Sequence, residues 1–184
     1  MKENKVSHED IRKFMTFNNM RLMFRDVIEA TSGFVIEETT KVPNVLHEIS
    51  KSVLENVNDR LLSENSNSKG KFVEECFGEA ADALDHADCR LKGSAYPDCK
   101  MEIDGETYFV ELKTTAKKDL TSAQRYFYYA SSKKIKESGK HLLIGFLHED
   151  GVITGYEIAD CYALEVKCRS EINAGNREIY ANVK

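Results

Sequence analysis

Asp104-Gly105 sits between two stretches of alternating apolar and polar residues, Asp98 to Ile103 and Glu106 to Lys113. Asp-Gly is among the strongest two-residue hairpin signals, because a type I′ turn needs positive φ at both central positions. With that turn, Ile103 faces Glu106, Lys100 faces Phe109 and Asp98 faces Glu111. Side chains alternate along each strand. One face therefore collects Cys99, Met101, Ile103, Tyr108, Val110 and Leu112, all apolar or aromatic. The other collects Asp98, Lys100, Glu102, Thr107, Phe109, Glu111 and Lys113. A slip of one residue would drive charges into the core, so the register is well specified.

That register has a chemical consequence. Asp98 and Glu111 are expected directly opposite one another, with Cβ atoms about 5 Å apart. Two carboxylates that close repel unless a cation lies between them. Hard oxygen donors in a site that stays open suit magnesium, with manganese as a substitute. Lys113 follows Glu111 on the same face, about 6.6 Å along the strand, where an ammonium can hold a water beside the ion. A metal there lowers the water's pKa and offsets charge on a phosphoryl oxygen, which is phosphodiester hydrolysis. The plainer alternative makes Asp98 a turn cap and Glu111 and Lys113 exposed ends of an edge strand. Against it, both charges fall in the largely apolar Tyr108-Phe109-Val110-Glu111-Leu112-Lys113, where a charge needs a reason.

The remaining chain reads as helices and strands around this hairpin. Ser7 with Asp10 opens a helix whose apolar residues keep helical spacing to Gly33. Pro43 starts a second, with Leu46, Ile49, Val53, Val57 and Leu61 as its stripe. The polar run Ser63-Glu64-Asn65-Ser66-Asn67-Ser68 divides a helical N-terminal region, residues 1–66, from a core, residues 67–184. The first is expected to serve dimerisation or DNA contact. A third helix spans Ser68 to His86, and a fourth spans Thr121 to Ser138, closed by Gly139. His141 to His148 is an apolar strand that turns at Asp150-Gly151 into Val152 to Ile158. Asn173 to Asn176 reads as a turn before a last strand, Glu178 to Asn182. The fold class is α/β (α+β): a mixed sheet with a central antiparallel hairpin, flanked by helices.

Tyr96-Pro97-Asp98 followed by Glu111-Leu112-Lys113 resembles the PD-(D/E)XK nuclease superfamily, the restriction-endonuclease-like fold. Upstream, Lys69-Gly70-Lys71-Phe72-Val73-Glu74 is similar to the KGxxxE helix start of archaeal Holliday-junction resolvases within it. Gln124 and Tyr128 resemble the QxxxY element of some exonuclease-type members. The resemblance covers about residues 68 to 130 and implies catalytic Asp98, Glu111 and Lys113, with Asp98, Glu111 and Glu74 at the metal. Helical phase favours Glu74 over Glu75, since Glu74 lies at the rim of the Val73–Phe77 stripe and Glu75 faces solvent.

Charge and composition bound the function. A net charge of −5 argues against indiscriminate nucleic-acid coating. The charge is uneven, however, and a basic stretch from Lys113 to Lys140 includes Lys117, Lys118, Arg125, Lys133 and Lys134. Together with Gln124 and Tyr128 these are the expected DNA-contacting residues; the alternative is a solvated helix face. Five cysteines without CxxC spacing point to reduced thiols. No apolar run is long enough for a membrane span, and the N-terminus has no secretory signal, so a cytoplasmic location is expected. No HExxH, P-loop, GxGxxG or GxSxG motif competes. The expected activity is magnesium-dependent cleavage of double-stranded DNA by a homodimeric type II restriction endonuclease. A junction-resolvase-like repair nuclease and a non-catalytic nucleic-acid-binding domain are the alternatives.

Overall fold

The computed structural model describes residues 7–9, 11, 20–61, 68–84, 96–116, 126–129, 135–168, 172–175, 179–181 and 183. In chain order its main elements are β1 (Met20–Met23), α1 (Phe24–Ser32), β2 (Ile36–Glu37), α2 (Asn44–Leu61), α3 (Ser68–Ala83), β3 (Cys99–Ile103), β4 (Glu106–Ala116), β5 (Tyr126–Tyr129), β6 (Gly139–Glu149), β7 (Val152–Asp160), β8 (Glu165–Cys168) and β9 (Ile172–Gly175). A 3₁₀ turn, Cys161–Ala163, joins β7 to β8.

Both Asp-Gly turns form as expected. Asp104 and Gly105 have φ of 53° and 79°, and Asp150 and Gly151 have 47° and 88°. The first sets β3 against β4 with Ile103 opposite Glu106 and Cys99 opposite Val110. The second sets β6 against β7 with a bulge between Leu147 and His148.

β6 is the spine of the larger sheet. It pairs in parallel with β4 along one edge, from Tyr108/Lys140 to Ala116/His148. Its other edge is shared by β2, parallel, and β7, antiparallel. A parallel neighbour cannot be reached through a tight turn, and the 22 residues between β4 and β6 supply the crossover length. Being central, β6 is buried on both faces from Gly139 to Leu147, which explains its near-continuous apolar sequence. The result is the mixed α/β architecture expected, with helices packed on the sheet. A second sheet, ordered β1-β8-β9-β5, is antiparallel throughout.

Two cores cover the two faces of the larger sheet. On one, Leu46, Ile49, Val53 and Val57 of α2 and Val73, Phe77 and Ala81 of α3 meet Cys99, Met101, Val110, Leu112, Leu142, Ile144 and Phe146. On the other, Phe24, Val27 and Ile28 of α1 meet Tyr96, Leu143, Cys161, Leu164 and Val166. All six residues expected on the buried face of the hairpin are buried.

The structure departs from the sequence-based expectations in four places. Met20–Met23 is a strand on β8 rather than part of a helix reaching Gly33; only Phe24–Ser32 is helical there, closed by left-handed Gly33. Tyr126–Tyr129 is a strand paired with β9, not the middle of a fourth helix; four consecutive aromatics favour a pleated surface. Asn173–Gly175, expected within a turn from Asn173 to Asn176, belongs to that partner strand, whereas Ile179–Ala181, expected within a strand, is helix and turn. Cys99 is disulfide-bonded, while Cys76 and Cys161 are buried and outside any disulfide; spacing rules recognise frameworks, not a single pair that folding brings together.

Candidate active site

Asp98 stands one residue before β3, and Glu111 and Lys113 stand in the middle of β4. The hairpin register places Asp98 beside Glu111, and side-chain bonds reinforce it. Asp98 Oδ2 accepts a hydrogen bond from the Leu112 backbone N–H at 2.8 Å. Lys113 Nζ donates to Glu111 Oε1 at 2.6 Å. The three residues share the sheet face of Leu143 on β6, since Glu111 is the register partner of Leu143 and Lys113 that of Gly145. Asp98 and Glu111 are only 8% and 6% exposed, whereas the Lys113 side chain is 40% exposed. Two buried carboxylates thus stand beside a more exposed ammonium.

The electrostatics of Glu111 are those of a carboxylate awaiting a positive partner. Burial pushes its pKa up to about 7; the Lys113 charge opposes that rise, and the Asp98 charge adds to it. Glu111 Oε2 is buried and has no hydrogen-bond partner among the described residues. A buried acceptor left in this state costs free energy unless something else satisfies it.

Glu74, on the second turn of α3, belongs to the same field. Its pKa is raised, first by burial and then by the Asp98 charge, while Lys113 lowers it. Glu75 is exposed and forms an ion pair with Lys71 at 3.9 Å. The start of α3 lies against β4 at Gly70, where an added Cβ would meet Thr114 Oγ1 at 4.0 Å.

A buried support beneath Asp98 was not read from the sequence. The Tyr96 ring stacks on His141 with centroids 5.7 Å apart, and the Tyr96 hydroxyl bonds to His141 Nδ1. Phe109 packs on the same imidazole at 4.6 Å. His141 is 1% exposed, and burial lowers its pKa to about 3. The neutral imidazole bonds the Tyr96 hydroxyl at Nδ1 and fixes the Tyr96-Pro97-Asp98 segment. The available signal was a histidine opening an otherwise apolar strand, where a polar group must find a partner.

Lys117, Lys118, Gln124, Arg125, Lys133 and Lys134 lie outside the described residues. Tyr128 lies on β5 opposite Asn173, so the helical spacing expected from Gln124 to Tyr128 does not hold at Tyr128.

The donor set fits a divalent cation of the hard, partly hydrated kind. Among the described residues, no group of three or more His, Cys, Asp or Glu side chains forms a preset cage. Two adjacent carboxylates, one with an unsatisfied oxygen, are instead what magnesium takes from a protein when water and substrate phosphate supply the rest.

No solved structure matches the chain. The Type II restriction enzyme MjaV of Methanocaldococcus jannaschii is similar, with 35% identity over 106 residues, which is 50% of this chain and 46% of that protein. The chain thus aligns with about half the length of that relative. The sequence pattern of the Type II restriction enzyme MjaV family matches residues 16–183, nearly the whole chain, and the protein belongs to that family.

Proposed function

We propose that this protein is a magnesium-dependent endonuclease that hydrolyses phosphodiester bonds of double-stranded DNA in the manner of a type II restriction enzyme. The observation that carries the reading is the Glu111 carboxyl, buried beside Asp98 with one oxygen on Lys113 and the other without a partner. Membership of a family named for a restriction enzyme supports DNA as the substrate.

Asp98 and Glu111 would hold the magnesium ion, or manganese in its place, with Glu74 as the third acid around it. When bound, the ion supplies an acidified water and charge to offset the phosphoryl oxygens. The chain's own residues do the rest. Lys113 opposes the protonation of Glu111 by donating to Oε1, and its ammonium can hold the attacking water. The Leu112 N–H fixes the Asp98 carboxylate, and Tyr96 on His141 fixes the segment that carries it. The basic stretch containing Lys117, Lys118, Arg125, Lys133 and Lys134 would follow the phosphate backbone. Cutting both strands calls for two such sites, so a homodimer is the expected working form.

Incubation with unmodified plasmid and magnesium tests this. Discrete fragments that disappear in chelator, and with Lys113→Ala, are expected. Equal cutting in excess chelator, or by Lys113→Ala, would overturn the mechanism.

A further inference from the structure

The turn after Ile179 delivers a side chain that the site above leaves unused. Tyr180 is half-buried and packs against the core on the face that carries Glu111 and Lys113. A Cβ built on Gly145 would overlap the Tyr180 hydroxyl and lie 2.7 Å from its Cζ, so the tip of the ring stands directly on the β6 backbone. Only glycine leaves room for that approach, and glycine inside a strand otherwise weakens it. Gly145 is the register partner of Lys113 on β4 and of Glu157 on β7. The hydroxyl therefore stands in the row Lys113, Gly145, Glu157, roughly one strand spacing, about 5 Å, from the base of the Lys113 side chain.

The hydroxyl lies over the strand beside Lys113, at the end of a ring that is partly buried against the surrounding core. Burial, with the Glu157 charge added to it, keeps it protonated, so it is a donor. A mid-strand glycine and a protonated hydroxyl thus coincide at one point beside Lys113. The glycine gives the hydroxyl its place in that row, where a donor can meet an acceptor carried by bound substrate.

We infer that Tyr180 is a further substrate-contacting residue, its hydroxyl donating to a phosphodiester oxygen of DNA seated beside Lys113 over Gly145. The inference rests on the reading of Asp98, Glu111 and Lys113 as the cleavage site. The anionic oxygen is the natural acceptor there, since Lys113 draws phosphate to that row and hydrogen bonds to charged acceptors are the stronger kind.

Tyr180→Phe tests it, read by plasmid cleavage in magnesium, manganese binding and thermal unfolding. The expected result is a loss of about tenfold to a hundredfold in kcat/KM, with manganese affinity unchanged and a melting temperature equal to or above wild type. Gly145→Ala, which pushes the ring off the strand, should reproduce the cleavage loss. Unchanged cleavage by Tyr180→Phe would overturn the inference and leave the site reading intact. A fall in melting temperature that accounts for the lost activity would overturn it as well, by making the hydroxyl structural. Wild-type protein that fails to cut in magnesium would remove the site reading and this inference with it.

Discussion

Asp98 Oδ2 accepts a hydrogen bond from the backbone N–H of Leu112, so the acid that precedes β3 is fastened to β4 between Glu111 and Lys113. The ladder between β3 and β4 ends at Cys99 and Val110. The side chain of Asp98 thus takes over where backbone pairing stops, satisfying a buried donor and placing a carboxylate at the site in one interaction.

The two roles of Asp98 are separable. Asp98→Asn retains an acceptor for Leu112 but loses the charge; Asp98→Ala loses both. Both variants should cut DNA at least about a hundredfold more slowly. Only Asp98→Ala should also lose about 1–3 kcal/mol of stability, by leaving the Leu112 N–H unpaired. Equal melting temperatures for the two variants would refute the structural half of this assignment.

Glu111 should destabilise the metal-free protein at alkaline pH. Its pKa is raised from 4.5 to about 7, so between those values the native state holds a proton that the unfolded chain has released. This contribution to stability is complete below pH 4.5 and is lost as pH rises through about 7. Glu111→Gln removes the penalty and should be more stable than wild type by about 1–3 kcal/mol at pH 8 without metal, though inactive. Manganese binding at pH 6 should release protons into buffer, visible as a buffer-dependent calorimetric enthalpy. A Glu111→Gln variant no more stable than wild type at pH 8 would show that the buried charge is compensated elsewhere.

The hairpin and the face its side chains share were legible because period-2 alternation and a turn needing positive φ act over a few residues. Asp98, Glu111 and Lys113 followed from that local logic, and so did the phase of Glu74 on its helix. Elements whose state depends on distant partners were not legible. Met20–Met23 and Tyr126–Tyr129 are strands because β8 and β9 offer them edges, and the local sequence, even with the aromatics of Tyr126–Tyr129, does not decide it alone. The parallel pairing of β4 with β6 is likewise a property of the crossover, not of either strand. His141 and Tyr180 were missed for the same reason: each acts through a residue far away in sequence.

Glu74 and Glu75 give an internal control on one helix. Glu74→Gln should weaken manganese binding and slow cleavage about tenfold or more, since its charge is coupled to Asp98 and Lys113. Glu75→Gln should leave both unchanged, because its partner is the exposed Lys71 and surface pairs contribute little. Comparable effects of the two substitutions would mean that α3 presents a different face to the site.

Below neutrality, His141 and Glu111 should offset one another. Burial lowers the His141 pKa from 6.5 to about 3, so between those values the unfolded chain carries a proton that the native state refuses. Stability from this group is complete above pH 6.5 and is lost as pH falls through the window. Glu111 has the opposite sign, holding a native-state proton from pH 4.5 to about 7. From pH 4.5 to 6.5 the two proton counts cancel, and the metal-free wild type should show little pH dependence from this pair. His141→Phe leaves Glu111 unopposed, so stability should rise towards acid by up to about 1.2 kcal/mol per pH unit near the middle of the window. Glu111→Gln leaves His141 unopposed and should reverse that slope. Loss of the Tyr96–His141 hydrogen bond adds a constant offset to His141→Phe and leaves its slope readable. Urea unfolding of the three proteins across this range measures the slopes, and parallel curves would show that the two buried groups do not titrate in opposition.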